Sequence, residues 1–187
     1  MGEWTKYYQA VGETPNQQVV RALQKYTGAR RAALDLGAGN LRDAKFLLKS
    51  GFKSVTAVDK EPQLEQVPGV EFIQRPLENY MPMPNTFDVG ISCNTLFFVP
   101  RDDTPKILTR SYNALTEGGI FICNLLGSED SWLTRPEIGA VGYTEEEVRA
   151  MLANFSIEDL SYATGHRPTS AGKSAAWAMW RIIIRKE

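Results

Sequence analysis

The chain has 187 residues, 43% of them apolar and 23% charged, and 21 basic against 22 acidic side chains leave a formal net charge of −1. That length and balance describe one ordinary globular domain with a sizeable core, and they provide no basic field that would hold a nucleic acid. A single histidine and two widely spaced cysteines, Cys93 and Cys123, exclude a zinc-ligand pattern, so no metal is expected.

Residues 3–26 read as two helical pieces separated by Gly12. The second opens Thr14-Pro15-Asn16-Gln17, a hydroxyl cap, proline at the first helical position and Gln at the capping-box position, and Val19, Val20, Leu23 and Tyr26 follow on one face. The first piece carries Trp4, Tyr7 and Tyr8, aromatic faces suited to a cation or to the core.

The next stretch, Ala32-Ala33-Leu34-Asp35-Leu36-Gly37-Ala38-Gly39-Asn40-Leu41-Arg42, organises the rest. A strand over 31–36 ends in an acid, two glycines follow one residue apart, and a helix over 41–50 begins, which is the pattern of a nucleotide-cradling turn. Glycine lets the backbone enter conformations closed to other residues, and the helix start exposes amides to a polar ligand. Asp35 would repel a pyrophosphate and favour a cationic ammonium such as that of S-adenosylmethionine. Arg42 stands where a dinucleotide fold places its third glycine, which disfavours an NAD-linked dehydrogenase.

The following strand, 53–59, delivers a second acid, Asp59, with Lys60 after it, at the distance where a parallel neighbour meets ribose hydroxyls. Pro62 and Pro68 reduce the next helix to a turn. A third strand over 70–74 leads into Arg75-Pro76-Leu77-Glu78-Asn79-Tyr80, and a fourth over 87–93 exits through Asn94-Thr95-Leu96-Phe97-Phe98-Val99-Pro100. Strand exits on the carboxyl edge of a parallel sheet are ligand positions, so Asn94 is expected at the ligand, with Phe97, Phe98 and Val99 as an apolar wall.

Thr104-Pro105 starts a helix with Ile107, Leu108, Ser111, Tyr112 and Leu115 as its buried stripe, and Gly118-Gly119 is expected to stop it. A fifth strand covers 120–125. Residues 127–142 lack periodicity and read as a lid or substrate loop. Thr144-Glu145-Glu146-Glu147 is a capping box, and strands over 156–162 and 176–185 flank a loop, 163–174, that holds His166 and Arg167. The expected fold is α/β: a Rossmann-like doubly wound sheet of about seven strands, mostly parallel with a C-terminal antiparallel hairpin, and helices on both faces.

The pattern Leu34-Asp35-Leu36-Gly37-Ala38-Gly39-Asn40, with Asp59 after the next strand and Gly118-Gly119 before a later one, resembles the class I S-adenosylmethionine-dependent methyltransferases. Trp4-x-x-Tyr7-Tyr8, Gly39-Asn40-x-Arg42 and Gly165-His166-Arg167 are similar, more narrowly, to tellurite-resistance and thiopurine-type methyltransferases. The resemblance implies S-adenosylmethionine as cofactor and S-adenosylhomocysteine as product, held by Tyr8, Asp35, Gly37, Ala38, Gly39, Asn40, Arg42, Asp59, Lys60, Leu77, Glu78 and Asn94. The family's adenine-binding acid falls at Pro76 or Leu77 here, and Glu78, one or two residues late, is its candidate replacement. The resemblance also implies a catalytic role for His166 as base and for Arg167 in binding the acceptor.

On this reading residues 1–28 are a helical cap and 29–187 a catalytic core within one domain. The acceptor is a small molecule: a thiol, a chalcogen oxyanion or a small metabolite. No nucleic acid or membrane partner is expected, the state is monomer or homodimer, and the location is cytoplasmic because the cysteines read as reduced and no apolar leader or membrane-length run is seen. The alternative is a non-catalytic module that binds S-adenosylmethionine.

Overall fold

A computed structural model describes residues 12–63, 65–168 and 174–187. The first described helix, α1 (Gln17–Lys25), begins two residues later than expected. Its cap is Asn16, whose side chain accepts from the Gln18 amide at 2.9 Å, and Pro15 lies outside it. Asn caps at least as well as Thr. The amide of Asn16 itself donates to Asp43 at 2.7 Å, which fixes the chain just ahead of the helix and decides where it starts.

The sheet is built from β1 (Ala32–Leu36), β2 (Ser54–Asp59), β3 (Val70–Gln74), β4 (Phe87–Ser92), β5 (Leu115–Gly127), β7 (Ser156–Pro168) and β8 (Ser174–Arg185), with the two-residue β6 (Gly142–Tyr143) beside β5. Its order is β3-β2-β1-β4-β5-β8-β7. The first five strands run parallel, and β8 runs antiparallel to both β5 and β7. This is the expected doubly wound sheet with a reversed hairpin at one side.

Period-two alternation divides the core. Ala33 of β1, Val89 and Ile91 of β4, and Ile120 and Ile122 of β5 face α1 and α2 (Arg42–Lys49). Leu34, Leu36, Phe121, Cys123 and Leu125 face the other way, onto α3 (Thr104–Ala114) and α4 (Glu145–Leu152). The capping box of α4 is formed, with Thr144 and Glu147 bonded reciprocally. Among the described residues between β2 and β3 there is no helix, in keeping with the two prolines.

Two further boundaries differ from expectation. Helix α3 ends at Ala114, and Leu115 is already extended and paired with Phe87. The register then shifts between Phe87 and Val89, so residues 116–119 form a bulge at the start of β5. Gly118 has φ +74, and a Cβ on Gly119 would lie 2.9 Å from the Asp88 carbonyl, so the glycines serve the bulge and do not stop the helix.

The C-terminal hairpin is longer than its apolar pattern suggested, pairing onward to Pro168↔Ser174 through part of the expected loop. Gly165, which read as a loop residue, lies opposite Trp177, and the indole occupies the space a side chain on Gly165 would need. An aromatic partner thus covers a glycine that alone would weaken a strand.

Candidate functional site

The parallel strands end together on one edge, where a narrow cleft of about 140 Å³ opens between the β1, β2 and β4 exits. The glycine turn forms one wall. The amides of Gly37 and Ala38 donate to the Val58 carbonyl at 2.7 and 3.1 Å, folding the turn back against β2. Gly37 has φ +78, and a Cβ there would meet the Thr95 side chain at 2.2 Å, so the position requires glycine for both conformation and space. Leu41 also takes a left-handed conformation, φ 62, at the start of α2, with its side chain fully buried. Packing of that side chain holds a backbone conformation that costs a branched residue free energy.

Asp59, at the end of β2, lies against that turn. Its two carboxylate oxygens accept the Gly39 amide at 2.8 Å and the Glu61 amide at 2.9 Å, and the Gln63 side chain donates to the Gly39 carbonyl. Ala38, Gly39, Asn40 and Arg42 of the turn line the cleft with Gly37, and Lys60, Leu77, Glu78 and Asn94 complete the expected set. Asn94 leaves β4 with φ +59, its amide donating to Asn124 Oδ1 at 2.8 Å while Asn124 Nδ2 donates to Asn94 Oδ1 at 3.3 Å.

Asp35 departs from expectation. It is 3% exposed, lies behind the cleft and does not line it, because its strand position points it toward α2. Burial pushes its carboxyl well above the usual range, and the nearby Asp43 and Asp59 push it further, while Arg42 and the Ala44 amide pull it back less. One of its oxygens has no hydrogen-bond partner. Asp43 takes its place on the wall. Burial raises Asp43 too, opposed by the Asn16 amide and by Arg42, whose Nε lies 3.7 Å away. The signal for Asp43 was present in the sequence as an acid in the first turn of the helix that follows the glycines, beside the cation already singled out.

Pro76, Cys93, Thr95, Phe98 and Val99 also line the cleft. Phe97 is buried beneath and packs on Phe98 with ring centres 4.7 Å apart. Trp132, from the segment expected to act as a lid, meets Phe97 edge-on with ring centres 6.0 Å apart and Phe98 at a tilt with 5.9 Å. That segment contains two short turns, Ser131–Thr134 and Pro136–Ile138, and is tethered by Asp130, which accepts from the Trp132 and Ala178 amides. Cys93 and Cys123 are free and buried, and burial raises both thiols, so each behaves as a small apolar side chain.

His166 and Arg167 lie in strand β7 and not in a loop, paired with Ala176 and Ala175. His166 is exposed and does not line the cleft, because β7 is the outermost strand, two places beyond β5. Tyr8, with Trp4 and Tyr7, falls outside the described residues. Among the described residues no cluster of histidine, cysteine and acidic side chains suits a metal ion, and no helix is long and apolar enough to cross a membrane.

Residues 34–123 match a family model described as a methyltransferase domain. They carry the glycine turn, Asp59 and the β4 exit. The chain has the class I methyltransferase fold. The 1,6-didemethyltoxoflavin-N1-methyltransferase of Burkholderia thailandensis, solved with 1,6-didemethyltoxoflavin and S-adenosylhomocysteine, is 21% identical, with a TM-score of 0.71 over 98% of this chain and 85% of that one. TehB from Haemophilus influenzae is 14% identical, with a TM-score of 0.73 over 97% of this chain and 66% of that one. A methyltransferase of Methanosarcina mazei described as S-adenosylmethionine-dependent is 20% identical, with a TM-score of 0.65 over 92% and 99%. No curated protein sequence matches the chain.

The cofactor of a methyltransferase domain of this kind is S-adenosylmethionine, and the donor set of the cleft fits it. Asp59 offers a carboxylate for vicinal hydroxyls, Asp43 with the buried Asp35 behind it favours a cation, and Leu77 with Val99 offers apolar surface for a ring.

Proposed function

We propose that this protein transfers a methyl group from S-adenosylmethionine to a small acceptor. The observation that carries the reading is Asp59, fixed at the cleft by the Gly39 and Glu61 amides, with the buried acids Asp35 and Asp43 on the far side of the glycine turn, both raised by burial. Asp59 and Lys60 would hold the ribose end, Leu77 and Glu78 the base, and Asp43, Gly37 and Asn94 the amino-acid end. Residues 1–28 would cap the core formed by 29–187.

When bound, the cofactor supplies a methyl group already activated on sulfonium sulfur, so the chain need not generate an electrophile. Its task is to hold the nucleophile in line and dry, an effect worth up to about 7–11 kcal/mol. Phe98, Val99 and the Trp132 segment would exclude water. An acceptor held in that line would take the methyl group through its lone pair and would lose its own proton, leaving S-adenosylhomocysteine. His166 receives no part in this scheme from its place on β7.

The likeness to a methyltransferase solved with the small molecule 1,6-didemethyltoxoflavin favours a small acceptor over a macromolecule. Calorimetric titration tests the cofactor assignment: S-adenosylhomocysteine should bind, NAD should not, and Asp59→Ala should weaken S-adenosylhomocysteine at least about 100-fold. Equal affinity for NAD, or an indifferent Asp59→Ala, would remove the reading. Incubation with labelled cofactor and a thiol panel then separates an enzyme from a binding module, since a binder labels nothing.

A further inference from the structure

Asn94 lines a second and larger cavity, of about 490 Å³, that runs from the lip of the cofactor cleft down the α1 face of the sheet. Its floor includes Asn124, Arg181 and Ser161, register neighbours across β5, β8 and β7. On the same face β5 otherwise presents Ile120 and Ile122, and β8 presents Met179 and Ile183, so this polar row interrupts an apolar surface. Gln18 and Arg21 of α1 overhang it.

Packing alone calls for an aliphatic side chain at 181. Half-burying a guanidinium costs free energy unless an anion meets it. Among the described residues neither Arg181 nor Arg21 forms an ion pair. Of the two acids on the wall, Glu158 is taken by Arg185 at 2.6 Å, and Asp159 sits exposed at the rim. Lys25 adds a further cation at the mouth. The cavity lining therefore carries three cations, Arg21, Lys25 and Arg181, against two acids, one of them already paired with Arg185, next to the amide that bounds the cofactor cleft.

We propose that this cavity receives the methyl acceptor, and that Arg21 and Arg181 select a small organic carboxylate whose nucleophile reaches toward Asn94. This rests on the methyl-transfer reading and adds the substrate class to it. Two cations on facing elements, one on α1 and one on β8, grip an anion from two sides and leave the rest of the molecule to extend along the polar row to the lip. Charge-assisted bonds of this kind are the stronger ones, and they discriminate against a neutral analogue of the same shape.

The test uses matched pairs of probes, 2-mercaptobenzoate against thiophenol and 4-aminobenzoate against aniline, titrated calorimetrically into protein loaded with S-adenosylhomocysteine. Each acid should bind about tenfold more tightly than its neutral partner. Arg181→Gln and Arg21→Gln should each reduce that preference about fivefold or more, Arg181→Lys should restore part of it, and all three should bind S-adenosylhomocysteine as the wild type does. Equal binding of acid and neutral probes, no saturable binding of either acid, or a preference untouched by both Gln variants would overturn the proposal. An acid preference that persists in protein unable to bind S-adenosylhomocysteine would support the anion site while removing the methyl-transfer reading beneath it.

Discussion

The two edges of the sheet both bury aspartates, and they treat them in opposite ways. At the amino edge Asp88, 1% exposed on β4, accepts from the Arg31 amide at 2.7 Å, the Arg31 guanidinium at 2.6 and 3.2 Å, and the Thr116 hydroxyl at 3.0 Å. Burial pushes its carboxyl up, but the Arg31 and Thr116 bonds outweigh that and hold it below the ordinary value. At the carboxyl edge Asp35 is as deeply buried, yet it has two acids for neighbours and an oxygen without a partner, and it stays well above the ordinary value. Satisfied acids fasten the strands at one edge; acids left short of donors gather beside the cleft at the other.

The largest effect expected from breaking this contrast is at the amino edge. Asp88→Ala leaves the Arg31 amide and the Thr116 hydroxyl without their acceptor, and a loss of about 2–4 kcal/mol is expected in urea unfolding at pH 7. Arg31's side chain is 70% exposed, so water replaces much of the ion pair itself, and most of the loss comes from the buried donors. Because the folded-state value of Asp88 is depressed, its contribution is present above the ordinary carboxyl range and fades as pH falls through that depressed value. The variant and wild type should therefore converge in acid. Binding of S-adenosylhomocysteine, at the other edge, should not change.

Asp35→Asn probes the opposite case. A carboxyl raised by folding binds its proton more tightly in the native state, so stability falls as pH rises from the unfolded value to the folded one and is flat above it. The Asn side chain imitates the neutral acid and removes that penalty. At pH 8 the variant should be more stable by about 1–2 kcal/mol, or about 2–8 °C at this length, with the advantage gone below pH 4. Thermal melts across pH measure it. A variant less stable than wild type at pH 8 would mean that the ionised carboxylate is satisfied after all.

Much of this contrast was legible in the chain, and its lapses have physical causes. Alternation and turn chemistry are local, so the five parallel strands, the glycine turn, Asp59 and the β4 exit followed from runs of a few residues. The part played by Asp35 did not, because which face of β1 meets the cleft depends on the curl of the glycine turn, and that is set by the Val58 carbonyl on another strand. Asp43 was passed over for a similar reason. A helix-start acid usually needs no explanation beyond the helix dipole, and only the tertiary position of α2 turns it to the cleft. The extra length of the C-terminal hairpin rests on Trp177 covering Gly165 from the opposite strand, a long-range pairing that no window of sequence contains.

The finest test of the comparison asks how many donors the amino-edge acid needs. Thr116 sits in the bulge at the start of β5, and its hydroxyl is the one Asp88 partner that is neither the backbone nor the cation of Arg31. Thr116→Val keeps the shape and the strand preference and deletes only that donor, so a loss of about 1 kcal/mol is expected. With one support gone, Asp88 should titrate nearer the ordinary carboxyl value, and acid unfolding should begin at higher pH than in wild type. Carboxyl-carbon NMR of Asp88 reads the first effect and pH-dependent unfolding the second. If both stay in place while stability drops, the hydroxyl only packs, and Arg31 alone keeps this edge unlike the other.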